Sequence, residues 1–478
     1  MGLFMPVQIK FGTSGWRAVM AEDFTFANVR RAVTGIARYV ASKKPEGASI
    51  VVGRDPRFLG ETFVEIASDI LSAHGITARV IAEPAPTPAM AWAVMRNHAD
   101  GAINFTASHN PPEYNGIKFS TPDGAPALPE VTKQIEEQIA AIDPVGPAAP
   151  NQSEPGSPNR PAPVPLDVRP DYLARLNEIL DLDVIRKSGI HVAFDPLWGA
   201  ARGYSDQLLR DHGVQVTTVH DVRDVLFGNH APEPSDRLLN DLRDAMRQSG
   251  AALGISTDGD ADRFGIVDLD GTFIQPNYVI ALLFDYLVET RGWRNGVAKS
   301  VATTNLINAL ADYHKVPLYE TPVGFKFIGE LIIQDKIAIG GEESAGLSIR
   351  HHVPEKDGVL AGLLMCEMVA RRGRSIGEQL RDLFVKVGSF YPCRENFRLT
   401  DEVQAKFTTK LKSDPHELGG RRVAQAVRTD GLKLIFSDGS WVCYRLSGTE
   451  PVVRVYSEAR TLEDTDKLST AAKQWILE

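Results

Sequence analysis

The chain has 478 residues, too many for one hydrophobic core and enough for about three or four domains. Its composition, 43% hydrophobic and 24% charged, is that of a soluble globular protein, and a net charge of -9 argues against nucleic acid as a partner while leaving local Arg and Lys free to gather anionic substrates. No signal peptide is expected at Met1-Gly2-Leu3-Phe4-Met5-Pro6 and no run approaches the ~18 apolar residues needed to span a bilayer, so no membrane partner is expected. Cys366, Cys393 and Cys443 are too few and too far apart for a disulfide framework or a zinc site, which places the protein in the cytoplasm.

Along the chain, one pattern recurs: an apolar strand, a turn, then an amphipathic helix. Ser49 to Asp55 predicts a strand, Thr62 to His74 a helix and Ala78 to Ile81 the next strand. Gly101-Ala102-Ile103-Asn104-Phe105 predicts another, with Thr106 to Pro111 in the loop at its C-terminal end. From about Asp143 to Arg169 closely spaced prolines deny ladder hydrogen bonds and predict an extended linker. The pattern returns in Gly189 to Asp195, Ala200 to His212 and Val214 to Val216, and again in Val297 to Ala302, Leu306 to His314 and Val316 to Tyr319. Alternating strands and helices imply largely parallel sheets, and three such units imply three similar α/β domains. After about Gly388 the texture changes: Leu432 to Phe436 and Trp441 to Arg445 predict a hairpin and Leu462 to Leu477 a helix, hence a fourth, smaller α+β domain. The expected boundaries are 1-150, a linker over 151-170, then 171-273, 274-388 and 389-478.

Between the second and third units lies Asp258-Gly259-Asp260-Ala261-Asp262-Arg263, after the strand-like Ala251 to Ile255. At ~4 Å and an effective dielectric near 20, each pair of these carboxylates repels by about 4 kcal/mol. A bound dication removes that cost, and hard oxygen donors with no His or Cys nearby favour Mg²⁺. A solvated acidic turn is the competing reading. A calcium loop of the EF-hand type is excluded, because its sixth and twelfth positions hold Arg263 and Leu269 in place of Gly and Glu.

Ser108, beside His109, is a candidate nucleophile, although Ser-His neighbours alone carry little weight. A serine phosphate with a charge of about −1.5 to −2 would supply the acidic loop with a further ligand. Thr106 to Pro111, Asp258 to Arg263, Gly341-Glu342-Glu343-Ser344-Ala345-Gly346 and Arg445-Leu446-Ser447-Gly448-Thr449-Glu450-Pro451 resemble, in order, the four signature loops of the α-D-phosphohexomutases, and Gly12 to Arg17 resembles that family's opening segment.

The resemblance implies three similar α/β domains and a distinct fourth around one central cleft, and reversible transfer of phosphate between the 1- and 6-positions of a hexose phosphate. Phosphorylated Ser108 is the implied donor, a sugar 1,6-bisphosphate the intermediate, and Asp258, Asp260, Asp262 and Ser108 the Mg²⁺ ligands. His109, Lys118, Arg17 and Arg263 are implied to handle protons or steady the phosphoryl group. Glu342 and Ser344 are implied to bind sugar hydroxyls. Gly324, Lys326, His352, Lys356, Arg445, Ser447, Gly448, Thr449 and Arg454 are implied to meet the rest of the sugar phosphate.

Glu342-Glu343-Ser344 is similar to the form found in phosphoglucomutases, which points to glucose 1-phosphate and glucose 6-phosphate as substrates and glucose 1,6-bisphosphate as activator. Ala345 replaces a usual Gly, and Gly346 replaces the His of the dual-specificity group. Phosphomannomutase or dual activity stands as the alternative, followed by phosphoglucosamine mutase, glucose 1,6-bisphosphate synthase or a catalytically silent sensor. A monomer or small homo-oligomer is expected.

Overall fold

The strands begin where the apolar runs place them, and the sheet order decides which loops become neighbours. A computed structural model describes residues 7-142, 160-446 and 452-477. They divide into two units, Met1–Ile274 with Ala345–Ser375, and Gln275–Ser344 with Ile376–Glu478.

The first unit holds two mixed sheets. One runs in the order Trp16–Val19, Tyr114–Ser120, Ala102–Phe105, Ser49–Arg54, Thr77–Val80, Val164–Pro165. Its central strands are parallel, with Arg54 opposite Phe105, and Tyr114–Ser120 returns antiparallel, with Lys118 opposite Asn104. Val29, Val33 and Ile36 of helix Phe26–Lys43 and Phe63, Ile70 and Leu71 of helix Gly60–Ala73 fill the core against it, each buried side chain contributing about 1.5–3 kcal/mol. The second sheet runs Phe273–Ile274, Phe264–Asp268, Leu253–Thr257, His191–Asp195, Gln215–Thr218; within it Phe264–Asp268 is antiparallel to both of its neighbours, and the last three strands are parallel. Helix Gly358–Arg372, capped by the Asp357 carboxylate accepting from the Leu360 amide at 2.8 Å, packs on it.

In the second unit, Leu318–Thr321, Val297–Ser300 and Ile339–Glu342 are parallel and carry helices Pro276–Arg291, Leu306–His314, Phe325–Ile333 and Ile376–Val387. The chain then builds an antiparallel sheet of six strands in the order Tyr391–Arg398, Val452–Ala459, Trp441–Leu446, Leu432–Phe436, Arg421–Val427, Glu417–Leu418, with helices Asp401–Lys410 and Leu462–Leu477. Three α/β domains and a smaller fourth one are therefore present.

Two expectations shift. The helix expected over Ala200 to His212 forms only at Ser205–Asp211, because Leu197, Trp198 and, at φ 73°, Gly203 turn left-handed ahead of it. Of the proline-rich stretch, 143-159 lies outside the described residues, and Val164–Pro165 adds a short parallel strand to the edge of the first sheet. Among the described residues no helix is long and apolar enough to cross a membrane.

Candidate active site

Ser108 follows strand Ala102–Phe105 and is 1% exposed. Its backbone is left-handed, with φ at 53°, a conformation that costs a non-glycine residue about 1–3 kcal/mol and persists only where neighbours enforce it. The Thr106 hydroxyl accepts from the Ser108 amide at 2.8 Å. The Ser108 hydroxyl donates to Asp258 Oδ2 at 2.6 Å and stands 3.3 Å from His109 Nδ1. Burial, then the nearby Arg263 and Arg17 guanidiniums, hold the His109 ring well below its ordinary pKa, which favours its neutral form.

Asp258, Asp260 and Asp262 leave the end of strand Leu253–Thr257 in a turn that Ala261, at φ 60°, makes tight enough to bring one oxygen of each within 4.8 Å of the others. All three are buried. Lys118 Nζ donates to Asp260 Oδ2 at 2.5 Å and Asp262 Oδ2 at 2.6 Å, and Lys356 Nζ lies 3.0 Å from Asp262 Oδ2. Burial, then the charges of Asp260 and Asp262, push the Asp258 carboxyl well above its ordinary range. Burial opposes ionisation of Asp262 too, but Lys118, Lys356 and Arg263 outweigh it and hold that carboxyl well below. Asp260 Oδ1 and Asp262 Oδ1 are buried without a hydrogen-bond partner among the described residues. Three converging hard oxygens, from carboxylates of which two keep an oxygen without a hydrogen-bond partner among the described residues, and with no nitrogen or sulfur donor among them, fit Mg²⁺.

Arg17 and Arg263 border this cluster. Arg17 donates to the Asn110 side chain at 2.8 Å, and Arg263 Nε lies 3.9 Å from Asp262 Oδ1. Burial, then the charge of Arg263, lowers the Arg17 pKa. Such a pair suits an anion. Lys356, grouped by sequence with the sugar contacts, is here also a partner of the acidic loop. His352 is buried, its Nε2 2.7 Å from Asp357 Oδ2 and its Nδ1 without a hydrogen-bond partner among the described residues.

The second unit holds the other expected residues. The Glu342 carboxylate accepts from the Gly324 amide at 2.7 Å, which joins the two segments chosen as sugar contacts. Glu343 accepts from Ser300 at 2.9 Å and Thr303 at 3.2 Å, and Ser344 is half-buried beside it in sequence. Lys326, also half-buried, lies in the first turn of the helix after Gly324. Arg445 and Arg454 are directly opposite on adjacent antiparallel strands, so they share one face of the sheet. Arg445 pairs with Asp430 at 2.8 Å. Ser447, Gly448 and Thr449 lie outside the described residues.

Sequence reasoning missed Thr87, whose hydroxyl donates to Asp260 Oδ2 at 2.5 Å, and the buried Asp55 and Arg57, which brace the Ser108 loop. The available signal was Arg54-Asp55 at the C-terminal end of a strand, where α/β sheets place their sites.

Family models for the four parts of one enzyme match in order: phosphoglucomutase/phosphomannomutase α/β/α domain I over residues 8-145, domain II over 170-271, domain III over 275-387 and the C-terminal domain over 398-472. A phosphoglucomutase/phosphomannomutase of Thermococcus kodakarensis is 30% identical over 95% of this chain and 95% of its own. A protein of Pyrococcus abyssi, provisionally named a phosphoglucosamine mutase, is 30% identical over 98% of this chain and 97% of its own. The crystal structure of a Thermus thermophilus protein, provisionally named a phosphomannomutase, superposes with a TM-score of 0.86 at 31% identity, over 99% of this chain and all of that one. These names span three sugars at one level of identity, so they fix the chemistry and leave the sugar open. On four domains in order and likeness along nearly its whole length, the chain belongs to the phosphoglucomutase/phosphomannomutase family of Mg²⁺-dependent phosphohexomutase isomerases.

Proposed function

We propose that the protein interconverts glucose 1-phosphate and glucose 6-phosphate through a phosphorylated Ser108 and glucose 1,6-bisphosphate. One observation carries the reading: a buried serine in a left-handed turn, its hydroxyl 2.6 Å from one of three clustered aspartates. The phosphoryl group moves from Ser108 to the free sugar hydroxyl; the Oγ–P bond breaks, a sugar O–P bond forms, the hydroxyl proton leaves to a base, and the freed Oγ takes up a proton. His109, with Nδ1 3.3 Å from Ser108 Oγ, is the candidate for that role by position. After the bisphosphate turns over, the opposite phosphoryl group returns to Ser108, whose proton has acceptors in Asp258 Oδ2 at 2.6 Å and His109 Nδ1 at 3.3 Å.

Asp258, Asp260 and Asp262 with the Ser108 phosphate would hold Mg²⁺, which when bound neutralises charge on the group in transfer. Lys118, Arg17 and Arg263 steady that group, and Arg445 and Arg454 take the phosphate that stays. Glu342, held by Gly324, accepts from sugar hydroxyls. Glucose is favoured by Glu342-Glu343-Ser344 and by the absence of His at position 346. Mannose is the second reading, on the name of the Thermococcus relative.

The test measures conversion of glucose 1-phosphate and mannose 1-phosphate in parallel, with Mg²⁺ and catalytic glucose 1,6-bisphosphate. A preference for glucose of about tenfold or more in kcat/KM supports the assignment; equal rates make the enzyme dual. Ser108→Ala should lose turnover while staying folded, and near-parent activity in it refutes the phosphoserine.

A further inference from the structure

Ser108 is held from both sides. Its amide is tied through the Thr106 hydroxyl to Asp55 Oδ2, at 2.8 and 2.6 Å. Its carbonyl accepts from Arg57 Nη2 at 2.8 Å. The same guanidinium donates to the carbonyls of Asn110 at 2.6 Å, Pro111 at 2.8 Å and Tyr114 at 3.0 Å, and its Nε donates to Asp55 Oδ2 at 3.0 Å. All five donors of a fully buried arginine are thus spent on the nucleophile loop and on the aspartate that ties its other side.

We infer that Arg57 is a positioning residue for phosphoryl transfer, holding Ser108 in its left-handed turn so that Oγ faces the acidic loop. It does not touch the reacting atoms; its ionic partner Asp55 is equally buried, so the pair acts through geometry. The turn has little room to settle elsewhere. A Cβ at Gly259 of the acidic loop would come within 2.6 Å of the Ser108 carbonyl oxygen that Arg57 holds. If the clamp is released, the carbonyl loses its donor, the peptide rotates toward an ordinary conformation, and Oγ leaves Asp258. Lysine cannot replace the clamp, since three donors on one nitrogen cannot serve four carbonyls spread around a planar fork.

The inference rests on Ser108 being the phosphoryl carrier, so Ser108→Ala is run beside it. If that control still takes up labelled phosphate from glucose 1,6-bisphosphate and turns over, the carrier assignment falls by itself. On enzyme that passes the control, Arg57→Ala and Arg57→Lys are compared with the parent by thermal unfolding, steady-state kinetics with glucose 1-phosphate, and single-turnover transfer from labelled phosphoenzyme. Displacing a nucleophile by about 1 Å costs about 10²-fold. The expected result is that loss in kcat and in single-turnover rate, with KM within about threefold of the parent. Millimolar guanidinium should restore part of the rate to Arg57→Ala, whose cavity it fits, and none to Arg57→Lys. The inference is overturned if either variant, folded, transfers phosphate at the parent rate, or if the loss appears in KM alone and does not respond to guanidinium. Should Arg57→Ala fail to fold, Arg57→Lys still decides between parent-like and slowed transfer.

Discussion

Lys118→Met separates the two demands placed on the acidic loop. In the parent, Lys118 Nζ sits 2.5 and 2.6 Å from oxygens of Asp260 and Asp262, all within the protein. The buried amine is not easily discharged: burial lowers its pKa, but Asp260 and Asp262 outweigh that and raise it. Methionine keeps most of the stem and removes the charge. Asp260 then retains the Thr87 hydroxyl, and Asp262 retains Lys356 at 3.0 Å. Breaking one partner out of a buried ion pair costs about 3–5 kcal/mol, which at about 2–4 °C per kcal/mol lowers the metal-free melting temperature by roughly 10 °C. Because the lysine's positive charge sits on the same carboxylates that would hold a dication and repels it, Mg²⁺ affinity should rise as turnover falls. The assay is thermal unfolding across a Mg²⁺ titration, with kcat for glucose 1-phosphate measured in parallel. A metal-free variant within about 1 kcal/mol of the parent, together with unchanged Mg²⁺ affinity, refutes the charge argument.

Three further perturbations test separate links. Gly259→Ala puts a methyl 2.6 Å from the Ser108 carbonyl oxygen and 3.0 Å from Pro232, so the two loops must part; a loss of about 10–100-fold in kcat with about 1–3 kcal/mol of stability is expected, and parent kinetics would show that the loops tolerate separation. Burial disfavours the charged form of His220, but the hydrogen bond and charge of Asp195 and the charge of Asp241 outweigh it and raise its pKa above 6.5. Its protonation therefore stabilises the fold fully below pH 6.5 and ceases to do so as pH rises through the higher folded value; in His220→Gln, urea midpoints should lose that dependence, and equal pH slopes would reject it. Glu458→Ala removes the acceptor of three donors, the Asn305 amide at 2.9 Å, the Trp441 indole at 2.8 Å and the Thr304 hydroxyl; about 1–3 kcal/mol per orphaned donor should appear in chemical denaturation, and a neutral result would mean water reaches all three.

What could be read from the sequence was whatever lay in one contiguous run. The three aspartates are neighbours in the chain, and repulsion among them demands a cation wherever the fold takes them; Ser108 stands at a strand end whose apolar lead-in is equally local. The residues that hold these groups in place were not legible, because sheet order makes them neighbours. Strand Ser49–Arg54 pairs in parallel with Ala102–Phe105, Arg54 opposite Phe105, so the turn carrying Asp55 and Arg57 emerges beside the turn carrying Thr106 and Ser108. No spacing in the chain announces that register. Lys356 makes the same point from the other side: its likeness to the family's sugar contacts says nothing of the acidic loop, and Gly358 lets the start of the helix that follows it approach so closely that a Cβ there would stand 2.2 Å from the Arg263 carbonyl oxygen. That approach carries Lys356 onto Asp262. A charge run reveals that compensation is needed; only the packing of backbone against backbone decides which lysine supplies it.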